Sequence, residues 1–136
     1  MHKDSLKFDN WNEQKKHLDW WNNRAPLFKE REIWWCAYGI NVGSEVCGKN
    51  THYRRPILVM KKLSHTSFIG VPLSSQYKEG SWYVTVTHSE GKQNTINLAQ
   101  IRYIDYRRLD KKIGTLDTDE FEKVQHQLAL LLNLKK

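Results

Sequence analysis

The middle of the chain consists of short apolar runs separated by polar stretches, a pattern typical of β-strands. Residues 33–38 are continuously apolar, which predicts a strand covered on both faces. The alternation over residues 82–87 predicts a strand that places Trp82, Val84 and Val86 on one face. Four further strands are predicted, at residues 56–60, 67–73, 95–98 and 102–104.

The C-terminal segment has the periodicity of an amphipathic helix. Asp117 and Glu120 form an N-terminal cap, and apolar residues then recur at helical spacing. The apolar stripe consists of Phe121, Val124, Leu128, Leu131 and Leu132. Just before it, Leu109 and Ile113 lie four residues apart, which predicts a short helical turn that ends at Gly114.

An N-terminal extension is also predicted to be helical. Asn10 and Glu13 resemble a capping box, and Pro26 ends the helical pattern. We therefore divide the chain into an extension over residues 1–30 and a domain over residues 31–136. Five or so short strands followed by a helix indicate an α+β (mainly β) fold, a small and partly open β-barrel with appended helices.

Composition points to an anionic partner without identifying it. The 136 residues carry a net charge of +7 and include six tryptophans and six tyrosines, which can serve as core, interface anchors or stacking platforms for bases. The N-terminus does not resemble a signal peptide, and no apolar run reaches membrane-spanning length. We therefore expect a soluble, cytoplasmic protein that does not engage a membrane. Cys36 lies in an apolar run, which favours burial as a small hydrophobic residue.

Cationic and hydroxyl groups lie at the ends of several predicted strands. Arg55 precedes a strand and is able to bind a phosphate with two donors, although a surface cation that covers the barrel edge has the same appearance. Ser74 and Ser75 end another strand, where hydroxyls either donate to phosphate or make local turn hydrogen bonds. His52 lies three residues before Arg55 and is able to carry a proton near neutral pH, while a solvated loop histidine is the alternative.

The sequence contains none of the common metal or phosphate-loop motifs. It has no paired C-x-x-C, no H-E-x-x-H and no glycine-rich phosphate loop. We therefore expect no cofactor and no metal. Phosphodiester chemistry in such a protein would use acid–base groups, arginine and the ribose 2′-hydroxyl as internal nucleophile, which requires RNA.

An ordered set of segments resembles the PemK/MazF family of toxin proteins. The resemblance runs from about Arg31 to Leu132. No single motif in it is strong, but the order and spacing of the motifs together are specific. The segments that carry it are Glu32-Ile33-Trp34-Trp35, Val42-Gly43-Ser44-Glu45, Arg55-Pro56-Ile57-Leu58-Val59, Val71-Pro72-Leu73-Ser74, Gln100-Ile101-Arg102, Ile104-Asp105 and Arg108-Leu109.

The resemblance implies an SH3-like barrel that forms a homodimer and cuts single-stranded RNA without a metal. The 2′-hydroxyl attacks the neighbouring phosphate in this family, which gives a 2′,3′-cyclic phosphate and a 5′-hydroxyl. The resemblance places the catalytic arginine at Arg55 and the catalytic hydroxyl at Ser74. It also implies a small acidic antitoxin as partner. The further candidates to line the site or bind RNA are Glu45, His52, Arg54, Ser75, Gln76 and Arg102.

Two departures from the family pattern affect the expected mechanism. Residues 47–53 lengthen the loop before Arg55, which leaves the RNA sequence preference open. Ala99 stands where some members have an acidic residue, so a mechanism that needs a carboxylate there cannot operate. A non-catalytic nucleic-acid-binding barrel is the alternative. A gyrase poison resembling CcdB is less favoured, because the chain ends in Leu134-Lys135-Lys136 rather than in tryptophan, glycine and isoleucine.

Overall fold

The computed structural model describes residues 27–38, 54–89 and 91–134. Seven strands and one helix lie in this part of the chain. The strands are β1 (Glu32–Ala37), β2 (Arg54–Lys62), β3 (Ser67–Ser74), β4 (Tyr83–His88), β5 (Lys92–Asn97), β6 (Arg102–Asp105) and β7 (Leu109–Thr115), and the helix is α1 (Thr118–Leu131). The predicted helix over residues 10–25 lies outside the described residues, so the division into an extension and a domain stays a prediction.

The strands form one strongly bent antiparallel sheet. Their order is β4-β5-β3-β2-β1-β7, and β6 adds to β3, which therefore pairs with three strands. No ladder joins β4 to β7 within the described residues, so the barrel is open there. The prediction of a mainly β fold with a C-terminal helix is confirmed, and β7 is present in addition to the six strands whose positions were predicted.

The segment predicted as a helical turn before α1 is a strand. Leu109–Thr115 forms β7, which pairs with β1 through Cys36 opposite Leu109 and Glu32 opposite Thr115. The four-residue spacing of Leu109 and Ile113 suggested a helix, but a partner strand more than seventy residues away determines the conformation. This part of the prediction was therefore wrong.

The continuous apolar run in β1 separates into two buried faces, as predicted. Ile33 packs in one core cluster, with Leu58, Val71 and Leu73 of the next two strands. Trp34 and Cys36 pack in a second core cluster on the opposite face, which also contains Phe28, Tyr38, Ile57, Val59, Phe68, Ile104 and Leu109. Cys36 is a buried free thiol whose pKa burial raises to about 12, which fits its predicted role as a small core residue.

Helix α1 covers the first core cluster with its apolar stripe. The Asp117 carboxylate accepts a hydrogen bond from the backbone N–H of Glu120 at 2.8 Å, which confirms the predicted cap. Phe121 and Val124 are buried and Leu128 is partly buried, whereas Leu132 lies beyond the helix end and is 54% exposed. The apolar stripe therefore ends at Leu131, one residue earlier than predicted. In the described ranges, no helix has the length and apolar character needed to cross a bilayer.

Candidate active site

A cavity of about 280 Å³ is lined by residues of six strands, β1 to β5 and β7. Its size is close to the lower end of the roughly 300–1,000 Å³ typical of small-molecule sites. Its apolar floor and polar wall together would accommodate a ligand about as large as one nucleotide. The residues that line it are Ile33, Trp35, Arg54, Arg55, Pro56, Leu73, Ser74, Ser75, His88, Lys92, Asn94 and Ile113.

Strand register brings Arg55 and Ser74 together in this cavity. Ile57 of β2 lies opposite Pro72 of β3, and the same antiparallel register carried two residues further places Arg55 beside Ser74. The Arg55 guanidinium donates a hydrogen bond to the Leu73 backbone carbonyl at 3.3 Å. This contact holds the arginine against the end of β3, within reach of the same ligand as the serine.

Ser74 makes the local hydrogen bond that is common for a serine at a strand end. Its Oγ accepts from the backbone N–H of Gln76 at 3.1 Å. An oxygen that accepts in this way still has its own hydrogen to donate. Because Ser74 is half-buried in the cavity wall, the turn hydrogen bond fixes the hydroxyl without preventing it from donating to a ligand.

The neighbouring candidates divide between the cavity and its surroundings. Arg54 and Ser75 line the cavity, and the Arg54 guanidinium forms an ion pair with Asp110. Gln76 is exposed beyond the end of β3 and is not one of the lining residues. The predicted candidates Glu45 and His52 lie outside the described residues.

Arg102 occupies a different environment from the cavity residues. Its guanidinium lies over the Tyr38 ring at 4.9 Å from the ring centroid, and it is absent from the cavity wall. Burial raises the pKa of Tyr38, while the nearby charges of Arg102 and Arg55 act in the opposite direction. The tyrosine hydroxyl donates to the Gln100 carbonyl at 3.4 Å. The structure thus places Arg102 beside Tyr38 of the second core cluster and outside the cavity.

Eight lining residues were not identified as site residues from the sequence, and the four of them with an aromatic or polar side chain are Trp35, His88, Lys92 and Asn94. His88 is 7% exposed, and its Nε2 is hydrogen-bonded to Asn94 Oδ1. The alternation of β4 contained a signal for this, because His88 shares the face of Val84 and Val86. No pattern in the sequence indicated that β5 returns Asn94 to the same place.

The wall of this cavity is cationic and hydrogen-bonding. Two arginines and one lysine line it, and no carboxylate belongs to the described part of the wall. Serine hydroxyls and an arginine suit a phosphate group, while a half-buried tryptophan and an amide suit a base. The arrangement is therefore able to bind one unit of a nucleic acid strand. Among the described ranges, no group of three or more His, Cys, Asp or Glu residues is positioned to hold a metal ion.

A comparison with protein families agrees with the ordered segments in the sequence. Residues 29–132 match the family described as PemK-like, MazF-like toxin of type II toxin–antitoxin system. The match covers most of the chain and includes every described strand and the whole of α1. A search of curated proteins by sequence found no match.

Solved structures show the same fold at low sequence identity. MazF from Deinococcus radiodurans is 21% identical, with a TM-score of 0.65, over 82% of this chain and 100% of that one. An endoribonuclease from a mycobacterial species is 16% identical, with a TM-score of 0.61, over 83% and 96% of the two chains. A mycobacterial endoribonuclease in complex with its cognate antitoxin is 17% identical, with a TM-score of 0.59, over 82% and 99%.

Proposed function

We propose that this chain, which belongs to the PemK-like, MazF-like toxins of type II toxin–antitoxin systems, is a sequence-specific endoribonuclease that cuts single-stranded RNA. The observation that carries the proposal is the convergence of Arg55 and Ser74 on one cationic cavity of nucleotide size. The family resemblance places the catalytic arginine and the catalytic hydroxyl at these same two positions. Solved proteins of the same fold are described as endoribonucleases, which supports the same function.

The proposed reaction is an internal transesterification. The ribose 2′-oxygen forms a bond to the adjacent phosphorus as it loses its proton, and the bond from phosphorus to the 5′-oxygen breaks as that oxygen gains a proton. The products are a 2′,3′-cyclic phosphate and a 5′-hydroxyl. DNA lacks the nucleophile and should not be cut.

The two proposed catalytic groups have different tasks. Negative charge increases on the phosphoryl oxygens in the transition state, and the Arg55 guanidinium is able to stabilise it with two donors. The Ser74 hydroxyl orients the phosphate by donating to one of its oxygens. His52, which the sequence suggests as a proton carrier, stays a candidate for the proton transfer steps.

The proposed reaction requires no metal, because the nucleophile belongs to the substrate and the charge is stabilised by arginine. It also requires access to RNA, and we place the protein in the cytoplasm for that reason. Arg54, Ser75, Gln76 and Arg102 are proposed to contact the RNA strand on either side of the reacting phosphate.

A small acidic antitoxin is the proposed protein partner. The net charge of +7 and a cavity wall with three cations suit an acidic peptide as well as RNA. A mycobacterial endoribonuclease of the same fold has been solved with its cognate antitoxin. We also propose that the chain forms a homodimer, as its family resemblance implies. Addition of the acidic partner should therefore abolish both RNA binding and cleavage.

The function can be tested with purified protein and a long unstructured RNA in the presence of EDTA. The parent should cut the RNA at a limited set of sites, and Arg55→Ala should cut it about 10²–10³-fold more slowly, because one preformed charge-stabilising donor is lost. Lys123→Ala is the matched control, since Lys123 lies on α1 and pairs with Glu120 at 3.0 Å. This control should cut at the parental rate.

The experiment also separates the enzyme from the alternative binding module. A binding module would retain RNA in a salt-sensitive manner and produce no cyclic phosphate. Cleavage by Arg55→Ala at the rate of the parent would show that the catalytic site is elsewhere. Cleavage that is lost with EDTA and restored by a divalent cation would contradict the proposed mechanism.

A further inference from the structure

We propose that Asn94, held in place by His88, recognises the base of one nucleotide next to the reacting phosphate and selects a keto base over an amino base. The inference rests on the proposed function, because it assumes that RNA is the substrate. It concerns the part of the cavity wall formed by β4 and β5, where Thr95 of β5 pairs with Ser74 of β3. The groups proposed to act in the cleavage reaction do not belong to β4 or β5.

The hydrogen bond between the two side chains determines what Asn94 can offer to a ligand. It joins His88 Nε2 to Asn94 Oδ1. An amide oxygen only accepts, so the histidine nitrogen is the donor and the amide oxygen is occupied. The NH₂ group of Asn94 has no hydrogen-bond partner among the described residues. Asn94 is half-buried in the cavity wall, so its free polar group is a donor available to a ligand.

The surroundings of His88 support this orientation of the amide. His88 is 7% exposed, and its Nδ1 is buried without a hydrogen-bond partner in the described part of the chain. If the amide were turned over, Nε2 would accept from it and the ring proton would lie on Nδ1. That would bury an unpaired N–H, which proteins tolerate less well than an unpaired acceptor. His88 is therefore a positioning residue that keeps the Asn94 amide as a donor.

The residues that line the cavity suit the binding of a base near Asn94. Trp35 is half-buried in the cavity wall and provides an aromatic surface on which a base can stack. The cavity volume of about 280 Å³ leaves room for little more than one nucleotide when the phosphate lies at Arg55. A base attached to that phosphate would therefore share the cavity with Asn94.

A free amide donor distinguishes bases by their exocyclic groups. Uracil O4 and guanine O6 accept hydrogen bonds, whereas cytosine N4 and adenine N6 carry hydrogens and donate. At one position of the RNA, the parent should bind uracil better than cytosine and guanine better than adenine. We expect a difference of about tenfold, which is near the lower end for a good polar contact to a base.

The test measures binding of short RNAs that cannot be cut. Each RNA carries one 2′-deoxynucleotide in place of the attacking ribose, and each of the four bases is placed in turn at the positions that flank it. Fluorescence anisotropy gives the affinity. Asn94→Asp should reverse the preference toward amino bases, because its carboxylate only accepts. Gln93→Glu is the matched control, since it adds the same charge on the opposite face of β5, where Gln93 is exposed, and should retain the parental preference.

Two variants of His88 test the positioning role. His88→Phe keeps the ring and removes the donor, so the preference between keto and amino bases should disappear. His88→Gln returns an N–H donor near the Nε2 position and should restore the preference. A merely structural role for His88 would change overall affinity or stability in both variants and leave the ratio of affinities unaltered.

The outcomes separate this inference from the proposed function. Equal binding of keto and amino bases at every position by the parent would overturn it, as would a parental ratio in both Asn94→Asp and His88→Phe. If ordinary RNA is cut but no such preference exists, the inference alone fails. If the preference exists but ordinary RNA is not cut, the proposed nuclease activity fails and base recognition by Asn94 stands.

Discussion

The two tryptophans of β1 are neighbours in the chain and lie in opposite environments. Trp34 is 8% exposed in the second core cluster, where its indole N–H donates to the Glu32 carboxylate at 3.0 Å. Trp35 is half-buried and lines the cavity with Arg55 and Ser74. Trp34 therefore belongs to the barrel core, whereas Trp35, on the face that also carries the core residue Ile33, provides part of the wall of the candidate site. Substitutions on the two faces should have separable effects on folding and on RNA.

Trp34→Ala should have the largest effect, and it should appear in stability. Removal of a buried tryptophan leaves a cavity, and it also leaves Glu32 without one of its hydrogen bonds. We expect a loss of about 3–5 kcal/mol in the free energy of unfolding. Urea denaturation followed by far-UV circular dichroism measures it. Trp35→Ala, the matched variant on the cavity face, should lose clearly less, and equal losses would contradict the separation of the two faces.

Arg55→Ala should show the reverse pattern, with a large effect on cleavage and a small one on folding. Its rate of RNA cleavage should fall by about 10²–10³-fold. Its unfolding midpoint should stay near that of the parent, because Arg55 is only partly buried at the start of β2 and belongs to neither core cluster. Arg55→Lys should recover only part of the rate, since lysine cannot bind a phosphate with two planar donors. If Arg55→Ala loses enough stability to explain the lost cleavage by unfolding, the result contradicts a catalytic role for Arg55.

Trp35→Ala should weaken RNA binding more than it affects the chemical step. Stacking of a base on an aromatic side chain contributes about 1–3 kcal/mol. Affinity for the uncleavable RNA should therefore fall, while single-turnover cleavage at saturating RNA stays close to the parental rate. Trp35→Phe retains an aromatic face and should recover most of the affinity. If Trp35→Ala binds RNA as well as the parent, the base does not stack on this wall.

Glu32→Gln should change stability in a way that depends on pH. Burial acts to raise the pKa of Glu32, but hydrogen bonds from Lys112, Trp34 and the backbone N–H of Lys29 outweigh it, and the pKa lies below its usual value of 4.5. A carboxyl whose pKa is lowered on folding stabilises the protein above its ordinary pKa and loses that contribution as the pH falls through its folded pKa.

The glutamine variant should consequently be less stable than the parent by about 1–3 kcal/mol at neutral pH. The difference should shrink as the pH falls below the ordinary value of 4.5. Urea denaturation at several pH values measures it. A difference that is constant with pH would show that the charge of Glu32 is not the cause. RNA cleavage at neutral pH should be unaffected once the variant is folded.

The sequence predicted the elements whose signals are local. The cap at Asp117 and the stripe that begins at Phe121 specify α1 within one segment, and the apolar run of β1 correctly indicated two buried faces. The helical turn predicted at Leu109 was wrong, because β7 depends on pairing with β1 rather than on its own spacing. The residue pattern within one segment does not indicate its pairing with a strand that is far away in the sequence.

Strand-end position alone did not identify the candidate site, because Arg55 and Ser74 also fitted a surface cation and a turn serine. The resemblance to the toxin family singled them out, and both residues line one cavity. Asn94 could not be chosen, because its importance arises only when the β4–β5 hairpin brings it to His88. Arg102 was chosen with the others, but it lies over Tyr38 and away from the cavity wall. Strand pairing, and not residue type, determined which candidates came together.

The most direct test of the proposed chemistry uses an oligonucleotide with a single ribonucleotide within DNA, placed at a site that the parent cuts in RNA. The ends of the two fragments are then identified by mass spectrometry. The account predicts one cut immediately after the ribose, with a 2′,3′-cyclic phosphate on one fragment and a 5′-hydroxyl on the other, and no cut in the all-DNA control. A 5′-phosphate with a 3′-hydroxyl, or cleavage of the all-DNA strand, would contradict it.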